Sequence, residues 1–173
     1  MNNVYEIERK FLVELPDISG LSVNKQTDIV QTYLNSADSG SQRRVRKINS
    51  DGVIKFTYTE KAFISDVVRK EMEYEINESE YSRLVAEARE DFVPIYKTRY
   101  RFEFDNQQFE LDVYPFSDKL AILELELENE NQKINFPENI NVIGEVTGDA
   151  KYSNAALALP ELSPKKFTAE WSK

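Results

Sequence analysis

From Val4 to Val13 the chain alternates. Tyr5, Ile7, Phe11 and Val13 fall at odd positions, interrupted only by Arg9, and Glu6, Glu8 and Lys10 at even ones. Side chains of a strand point alternately to its two faces, so this spacing predicts a strand with one apolar and one charged face. The design recurs down the chain. Asp28 to Leu34 predicts a second strand with Gln31 and Tyr33 on one face, and Gln42 to Ile48 a third in which Arg44 and Arg46 lie opposite Val45. Val53 to Lys61 sets Ile54, Phe56 and Tyr58 against Lys55, Thr57, Thr59 and Lys61. Val67 to Ile76 sets Val68, Met72, Tyr74 and Ile76 against Arg69, Glu71, Glu73 and Glu75. In the second half, Ile95 to Asp105 opposes Tyr96, Thr98, Tyr100, Phe102 and Phe104 to Lys97, Arg99, Arg101, Glu103 and Asp105. Phe109, Leu111 and Val113 then oppose Glu110, Asp112 and Tyr114. Leu120 to Glu128 carries Ala121, Leu123, Leu125 and Leu127 against Glu124, Glu126 and Glu128.

The connections carry their own signals. Residues 14–28, with Pro16 and Gly20, read as a loop with room for a short helix. Asn49-Ser50-Asp51-Gly52 predicts a hairpin and Asp105 to Gln108 a tight turn. Asn77 with Glu80 three residues on is a capping box, and Tyr81, Leu84, Val85 and Ala88 follow at helical spacing, which predicts one helix packed on the outside. Pro94 closes that connection. Near the end, Ser153 is placed to cap a short helix from Asn154 to Leu159, stopped by Pro160. No linker or low-complexity stretch divides the chain, so a single domain over 1–173 is expected.

Composition narrows the chemistry. A hydrophobic content of 40% supports a core, and the apolar runs are too short to span a bilayer as helices, so a soluble cytoplasmic protein with no membrane partner is expected. The net charge of −9 disfavours nonspecific binding to nucleic acid. Cysteine and histidine are both absent. Catalysis would therefore rest on carboxylates, Lys, Arg, Tyr or Ser/Thr, and a metal would be hard and oxygen-bound, such as Mg²⁺ or Mn²⁺.

The charges are also sorted. Arg44 with Arg46, Lys97 with Arg99, and Lys55 with Lys61 form cationic pairs, while Glu6 with Glu8, Glu110 with Asp112, and Glu124 with Glu126 form acidic ones. A plain antiparallel sandwich accounts for alternation but not for this sorting. A mainly β (α+β) fold closed into an antiparallel barrel accounts for both, because the charged faces then line one lumen with a cationic and an acidic side. Such a lumen suits a polyanion neutralised partly by Arg and Lys and partly by metal held on carboxylates.

The Glu6-x-Glu8-x-Lys10 stretch resembles the ExExK signature of the CYTH, or triphosphate tunnel metalloenzyme, superfamily. Gln31-x-Tyr33-Leu34, Arg44-x-Arg46, Thr59-x-Lys61, Arg69-x-Glu71-x-Glu73, Lys97-x-Arg99, Glu110-x-Asp112 and Glu124-x-Glu126 follow in that family's order, and the segment from Glu145 to Asn154 is similar to the end of its short bacterial members. The resemblance implies an eight-stranded antiparallel β tunnel with a few outer helices, which cleaves a small-molecule triphosphate with Mg²⁺ or Mn²⁺. It implies Glu6, Glu8, Glu124 and Glu126 as metal ligands, and Lys10, Arg44, Arg46, Lys61, Arg69, Lys97 and Arg99 as phosphate contacts. Glu71, Glu73, Glu110 and Asp112 would bind a second metal, position water or orient the cations. Lys55 and Lys151 are further candidate phosphate contacts. A pairing of Lys10 with Tyr33 would supply a proton relay or hold the water. Inorganic tripolyphosphate is the first expected substrate, because nothing specifies a base pocket. A class IV-type adenylate cyclase, a thiamine triphosphatase using Trp171 and other aromatics, and a non-catalytic polyphosphate- or nucleotide-binding module are the alternatives. A monomer or homodimer is expected.

Overall fold

The computed structural model describes residues 2–36 and 40–152. The expected cap at Ser153, the helix over 154–159 and Trp171 lie outside the described residues. Among the described residues no helix is long and apolar enough to cross a membrane.

Strands β1 (Asn2–Glu14), β2 (Val23–Leu34), β3 (Ser41–Ser50), β4 (Val53–Phe63), β5 (Val68–Ile76), β6 (Ile95–Phe104), β7 (Gln107–Val113) and β8 (Leu120–Glu126) form the sheet. They pair in the ring β1-β5-β4-β3-β2-β6-β7-β8 and back to β1, every pairing antiparallel. The first strand closes the barrel by changing partners along its length. Residues 2–7 ladder with β5, and residues 8–14 ladder with β8. A ninth strand, β9 (Val142–Glu145), takes β1 over where β5 leaves it, setting Phe11 opposite Glu145.

Each of the eight alternating segments is a barrel strand. Two features differ from the sequence pattern. The second strand begins at Val23 rather than Asp28; its first residues are mostly polar and are held by pairing with β6, as in Thr27 opposite Arg99. The loop before it contains a 3-10 turn (Ile18–Gly20) capped by the Asp17 carboxylate. The four-residue β9, with Gly144 inside it, carries too little pattern to be foreseen.

The hairpins form where expected. Asp51 and Gly52 have φ of 53° and 83°, and Asp105 and Asn106 have 52° and 58°, the left-handed pair that two-residue hairpins need to match strand twist. The capping box is complete. Asn77 accepts from the Glu80 N–H at 2.8 Å, and Glu80 accepts from the Asn77 N–H at 3.3 Å, opening α1 (Glu78–Val85).

Three apolar clusters fix the barrel. Outside β2–β5, Leu84 of α1 packs with Leu34, Val45, Tyr58 and Ile76. Outside the other half, Phe11, Phe102, Phe109, Leu111, Leu123 and Leu125 are covered by residues such as Leu21, Phe136 and Ile140 from the connecting segments. The third cluster lies inside. Leu12, Tyr33, Ile95, Tyr114 and Ile122 share strand faces with Lys10, Gln31, Lys97, Asp112 and Glu124, and together they plug one end of the lumen. The apolar plug leaves the charged residues a bounded chamber with an apolar floor.

Candidate active site

Above the floor, register brings the charged faces together. Glu8 lies opposite Glu126, Lys10 opposite Glu124, and Glu110 opposite Glu124. Gln31 faces Arg46, Tyr33 faces Arg44, Thr59 faces Glu73 and Lys61 faces Glu71. Between them is a cavity of about 110 Å³ lined by Glu6, Glu8, Arg44, Arg46, Lys61, Glu71, Glu73, Arg99, Arg101, Glu110, Glu124 and Glu126. Every one of these residues has an ionisable side chain. At about 30 Å³ of liquid volume per water, the chamber is only a few waters in size, because its own ion pairs fill it.

One corner is electrically complete. Asp112 is fully buried; its Oδ2 accepts from Lys97 Nζ at 2.8 Å, and its two oxygens accept from Arg99 Nε and Nη2 at 2.7 and 2.9 Å. Burial would raise the Asp112 carboxyl, but the Arg99 and Lys97 charges hold it well below the usual carboxylate range. Burial pushes Lys97 down to about 8 in spite of Asp112, and the like charge of Arg99 beside it adds to the fall. Arg99 Nη1 also reaches Glu110 at 3.2 Å, and Glu110 accepts from Arg101 at 2.8 Å. Next to this corner Lys10 Nζ lies 3.3 Å from Glu124. Against burial, Lys10 and then Arg99 and Lys97 bring the Glu124 carboxyl down to about 2.

The opposite corner is crowded with like charge. Burial, then a hydrogen bond to Glu71, pushes the Glu6 carboxyl up to about 8, while that bond and Lys61 hold Glu71 down to about 2 against burial. The pair therefore holds one proton between two carboxyls. Burial, then Glu110 and Glu8, also raise Glu126. Lys61 Nζ sits 3.1 Å from Glu71 and 3.7 Å from Glu6, and Arg69 Nη1 sits 2.7 Å from Glu8. These contacts are ion pairs without good hydrogen-bond alignment. Glu6 Oε2, Glu71 Oε2 and Arg69 Nη1 are buried and, beyond these ion pairs and the proton shared by the two carboxyls, have no well-aligned hydrogen-bond partner. Arg46 is tied to Glu73 at 2.6 Å, whereas Arg44 forms no ion pair among the described residues, and its buried Nε lacks a hydrogen-bond partner.

The chamber thus gathers Glu6, Glu8, Glu71, Glu73, Glu110, Glu124, Glu126, Arg44, Arg46, Lys61 and Arg99 from the expected set. Lys10 and Arg69 line a larger hollow of about 440 Å³ at the plugged end, with Gln42 and Phe63. Lys97 and Asp112 are sealed in the wall. Tyr33 is in the floor; its hydroxyl accepts from Gln31 at 2.9 Å, Arg44 bonds to it as well, and burial raises its pKa. No hydrogen bond joins Lys10 to Tyr33 among the described residues. Lys55 stands at the open mouth, and Lys151 lies exposed in the 3-10 turn Ala150–Tyr152, outside the chamber lining. Sequence reasoning gave no site role to Arg101, Gln31 or Thr59. Arg101 continues the Lys97–Arg99 face and Gln31 precedes Tyr33 by two, so parity pointed to both; Thr59 donates to Glu73 at 2.7 Å.

Among the described residues no three acidic side chains converge as a preformed metal cage. The donor set still fits a hard cation. Glu6, Glu8, Glu124 and Glu126 offer only carboxylate oxygens, Glu6 Oε2 has only a long ion pair to Lys61, and the crowded corner retains a proton that a divalent ion would displace.

The structure is similar to one described as the inorganic triphosphatase NE1496, with 30% identity over 90% of this chain and 95% of that one and a TM-score of 0.58. Two proteins from Pyrococcus horikoshii OT3 share the fold. PH1819 has 17% identity, covers 73% of this chain and 80% of its own, and gives a TM-score of 0.57. PH1012 has 22% identity, covers 72% and 80%, and gives 0.53. No curated protein matches the sequence significantly. The CYTH domain model matches residues 4–149, nearly all of the barrel, and the chain belongs to the CYTH domain family.

Proposed function

We propose that the protein hydrolyses a triphosphate inside this lumen, with inorganic tripolyphosphate as its substrate. The observation that carries the reading is the sorting of the chamber into a crowded carboxylate corner and a row of arginines and lysines, with buried polar atoms on both sides that make no hydrogen bond. Phosphoryl transfer needs positioning and charge neutralisation rather than covalent chemistry from the protein. The 30% identity to the inorganic triphosphatase NE1496 supports the same reaction class.

In this reading Arg46, Lys61 and Arg69 exchange their carboxylate partners for phosphate oxygens, and Arg44, which has no carboxylate partner among the described residues, takes one directly. Lys10, and Arg99 while still held by Asp112, turn from Glu124 to phosphate oxygens. Mg²⁺ or Mn²⁺, held by Glu6, Glu8, Glu124 and Glu126, would neutralise phosphate charge. Tyr33, accepting from Gln31 and Arg44 and kept protonated by burial, presents its own O–H as a donor. Asp112 stays in the wall and fixes Lys97 and Arg99. Glu73 and Glu110 hold Arg46 and Arg101 when no substrate is bound.

The test is phosphate and pyrophosphate release from tripolyphosphate, ATP and thiamine triphosphate with Mg²⁺ or Mn²⁺, alongside an assay for cyclic AMP. Metal-dependent release from tripolyphosphate ahead of the other two is expected. Cyclic AMP with pyrophosphate from ATP, or faster cleavage of thiamine triphosphate, would overturn the substrate assignment. Absence of turnover on all three would overturn the hydrolase reading.

A further inference from the structure

The first strand has a seam. Along one edge of β1 the bonds to the β5 side end where the Glu8 N–H donates to the Val67 carbonyl at 3.1 Å, and β9 takes over only at Phe11, opposite Glu145. Lys10 lies between. Its carbonyl accepts from the Val146 N–H at 2.8 Å, and its own N–H donates to a side chain, Thr147 Oγ1, at 2.9 Å. The turn that places Thr147 there is closed by the Asp149 N–H, which donates to the Val146 carbonyl at 3.0 Å, with Gly148 at a φ of 72°. A Cβ on Gly148 would stand 2.8 Å from the Asp66 side chain, so the turn is pressed against the connection between β4 and β5. The notch that β5 leaves beside Lys10 is thus filled by residues just beyond β9.

The Thr147 hydroxyl has one proton to give and lone pairs to receive. Glu145 Oε2 lies at 2.7 Å and the Lys10 carbonyl at 3.4 Å, and the shorter, charge-assisted bond takes the proton. Arg9 fixes Glu145 in turn, Nε reaching Oε2 at 2.9 Å and Nη2 reaching Oε1, and these bonds hold that carboxyl below its ordinary value. Thr147 Oγ1 therefore keeps its lone pairs for the Lys10 N–H. Arg9 and Lys10 are chain neighbours on opposite faces of β1. The outer guanidinium secures, through Glu145 and Thr147, the peptide whose next side chain enters the barrel and brings Nζ to 3.3 Å from Glu124. The chamber lining contains none of the three.

We propose that Thr147 is a positioning residue for Lys10. By accepting from the Lys10 N–H across the seam, with its hydroxyl oriented by Glu145 and Arg9, it holds Lys10 so that Nζ stays beside Glu124, where phosphate is to bind. The role of Lys10 as a phosphate contact rests on the hydrolase reading of the lumen; the hold on its peptide does not. Without the hydroxyl, the Lys10 N–H is left without an acceptor at a residue that is buried, which is costly. The edge of β1 then opens locally, because neither β5 nor β9 supplies a bond at that position.

The experiment compares wild type with Thr147→Val, which removes the hydroxyl at nearly constant shape, with Thr147→Ser, which keeps it, with Lys10→Gln, and with the Thr147→Val/Lys10→Gln pair. Tripolyphosphate affinity is read by calorimetry without metal, kcat and KM with Mg²⁺, and exchange of the Lys10 amide proton by NMR. Thr147→Val should speed that exchange by more than about tenfold, and weaken affinity and raise KM by about five- to tenfold, the scale of one lost buried hydrogen bond. Thr147→Ser should stay within about twofold of wild type. In the Lys10→Gln background, Thr147→Val should change affinity by less than about twofold, because its effect runs through Lys10. Unchanged KM and amide exchange in Thr147→Val would overturn the proposal. So would additive losses in the double variant, which would mark a general loosening of the barrel, or a Thr147→Ser variant as impaired as Thr147→Val. If Thr147→Val does not fold, Glu145→Gln, on an exposed side chain, should move affinity and exchange in the same direction by about threefold, and no change there would overturn the proposal. If wild type does not hydrolyse tripolyphosphate, the hydrolase reading fails, and the amide exchange still decides the hold of Thr147 on Lys10.

Discussion

Two corners of one chamber use the same residue types to opposite ends. Around Asp112, two cations meet one fully buried carboxylate with four contacts shorter than about 3.3 Å counting Glu110, and little is left unsatisfied. Around Glu6, acidic residues from β1, β5 and β8 crowd as like charges, Glu6 and Glu71 hold one proton between them, and their inner oxygens meet only the loose ion pairs of Lys61. A closed ion-pair network resists rearrangement, since breaking it strands a buried charge. A crowded, half-satisfied one gains by taking up a cation. Charge content alone does not separate wall from site; the degree of satisfaction does.

The largest test of that contrast is Asp112→Ala. It leaves Lys97 and Arg99 buried without their counter-charge and should destabilise the fold by about 3–5 kcal/mol, visible as a large fall in denaturant midpoint. Glu6→Gln, made on a side chain that is only partly buried, should lower the melting temperature at pH 8 not at all, because it relieves repulsion. A marked loss of stability from Glu6→Gln would make the two corners alike.

Divalent metal should sharpen the difference next. Binding to the folded state alone adds about 2.7 kcal/mol at a hundredfold excess over Kd, so Mg²⁺ or Mn²⁺ should raise the melting temperature of wild type and much less that of Glu6→Gln. Asp112→Asn, if it folds, should keep the metal response.

The pH dependence has a definite sign. Glu6 is raised from the usual value near 4.5 to about 8, and Glu126 is raised too. The stabilising share of Glu6 is full below about 4.5 and is lost as the pH rises towards 8, and that of Glu126 is lost in the same direction. Glu71, lowered to about 2, contributes stability that is present above its ordinary range and lost as the pH falls towards 2. Between pH 5 and 8 the metal-free wild type should therefore lose stability through the Glu6 corner, and Glu6→Gln should flatten that slope in pH-dependent melts. Smallest of all is Gln31→Leu. It removes a donor to Tyr33 but also a buried acceptor without a partner, so stability should move by less than about 1 kcal/mol while turnover falls.

Much of this was visible in the chain. Parity alone puts Glu6, Glu8 and Lys10 on one face and Phe11 and Val13 on the other, and the same holds for all eight barrel strands. Asp51-Gly52 and the Asn77–Glu80 box marked their turns and helix start because each signal is local. The start of β2 was hidden because its pairing with β6, not an apolar face, holds it. The floor was half-legible: Leu12 follows Lys10 by two and Ile122 precedes Glu124 by two, but alternation does not say that such residues meet across the barrel. Least legible was which carboxylate serves which cation. Asp112 saturates Lys97 and Arg99 because β7 lies beside β6, and Glu6 crowds Glu71 and Glu126 because β1 exchanges β5 for β8. Those are consequences of strand order and register, which residue spacing within one strand does not contain.

The most direct measurement is tripolyphosphate hydrolysis by Glu6→Gln with Mg²⁺ or Mn²⁺, set beside its melting temperature and the wild type's. If the crowded corner is the working half of the lumen, turnover falls by more than about 100-fold, beyond the 10–100-fold typical of losing an outer partner of a metal ligand, while the melting temperature holds or rises. Turnover kept at the wild-type rate in a folded Glu6→Gln protein would contradict it.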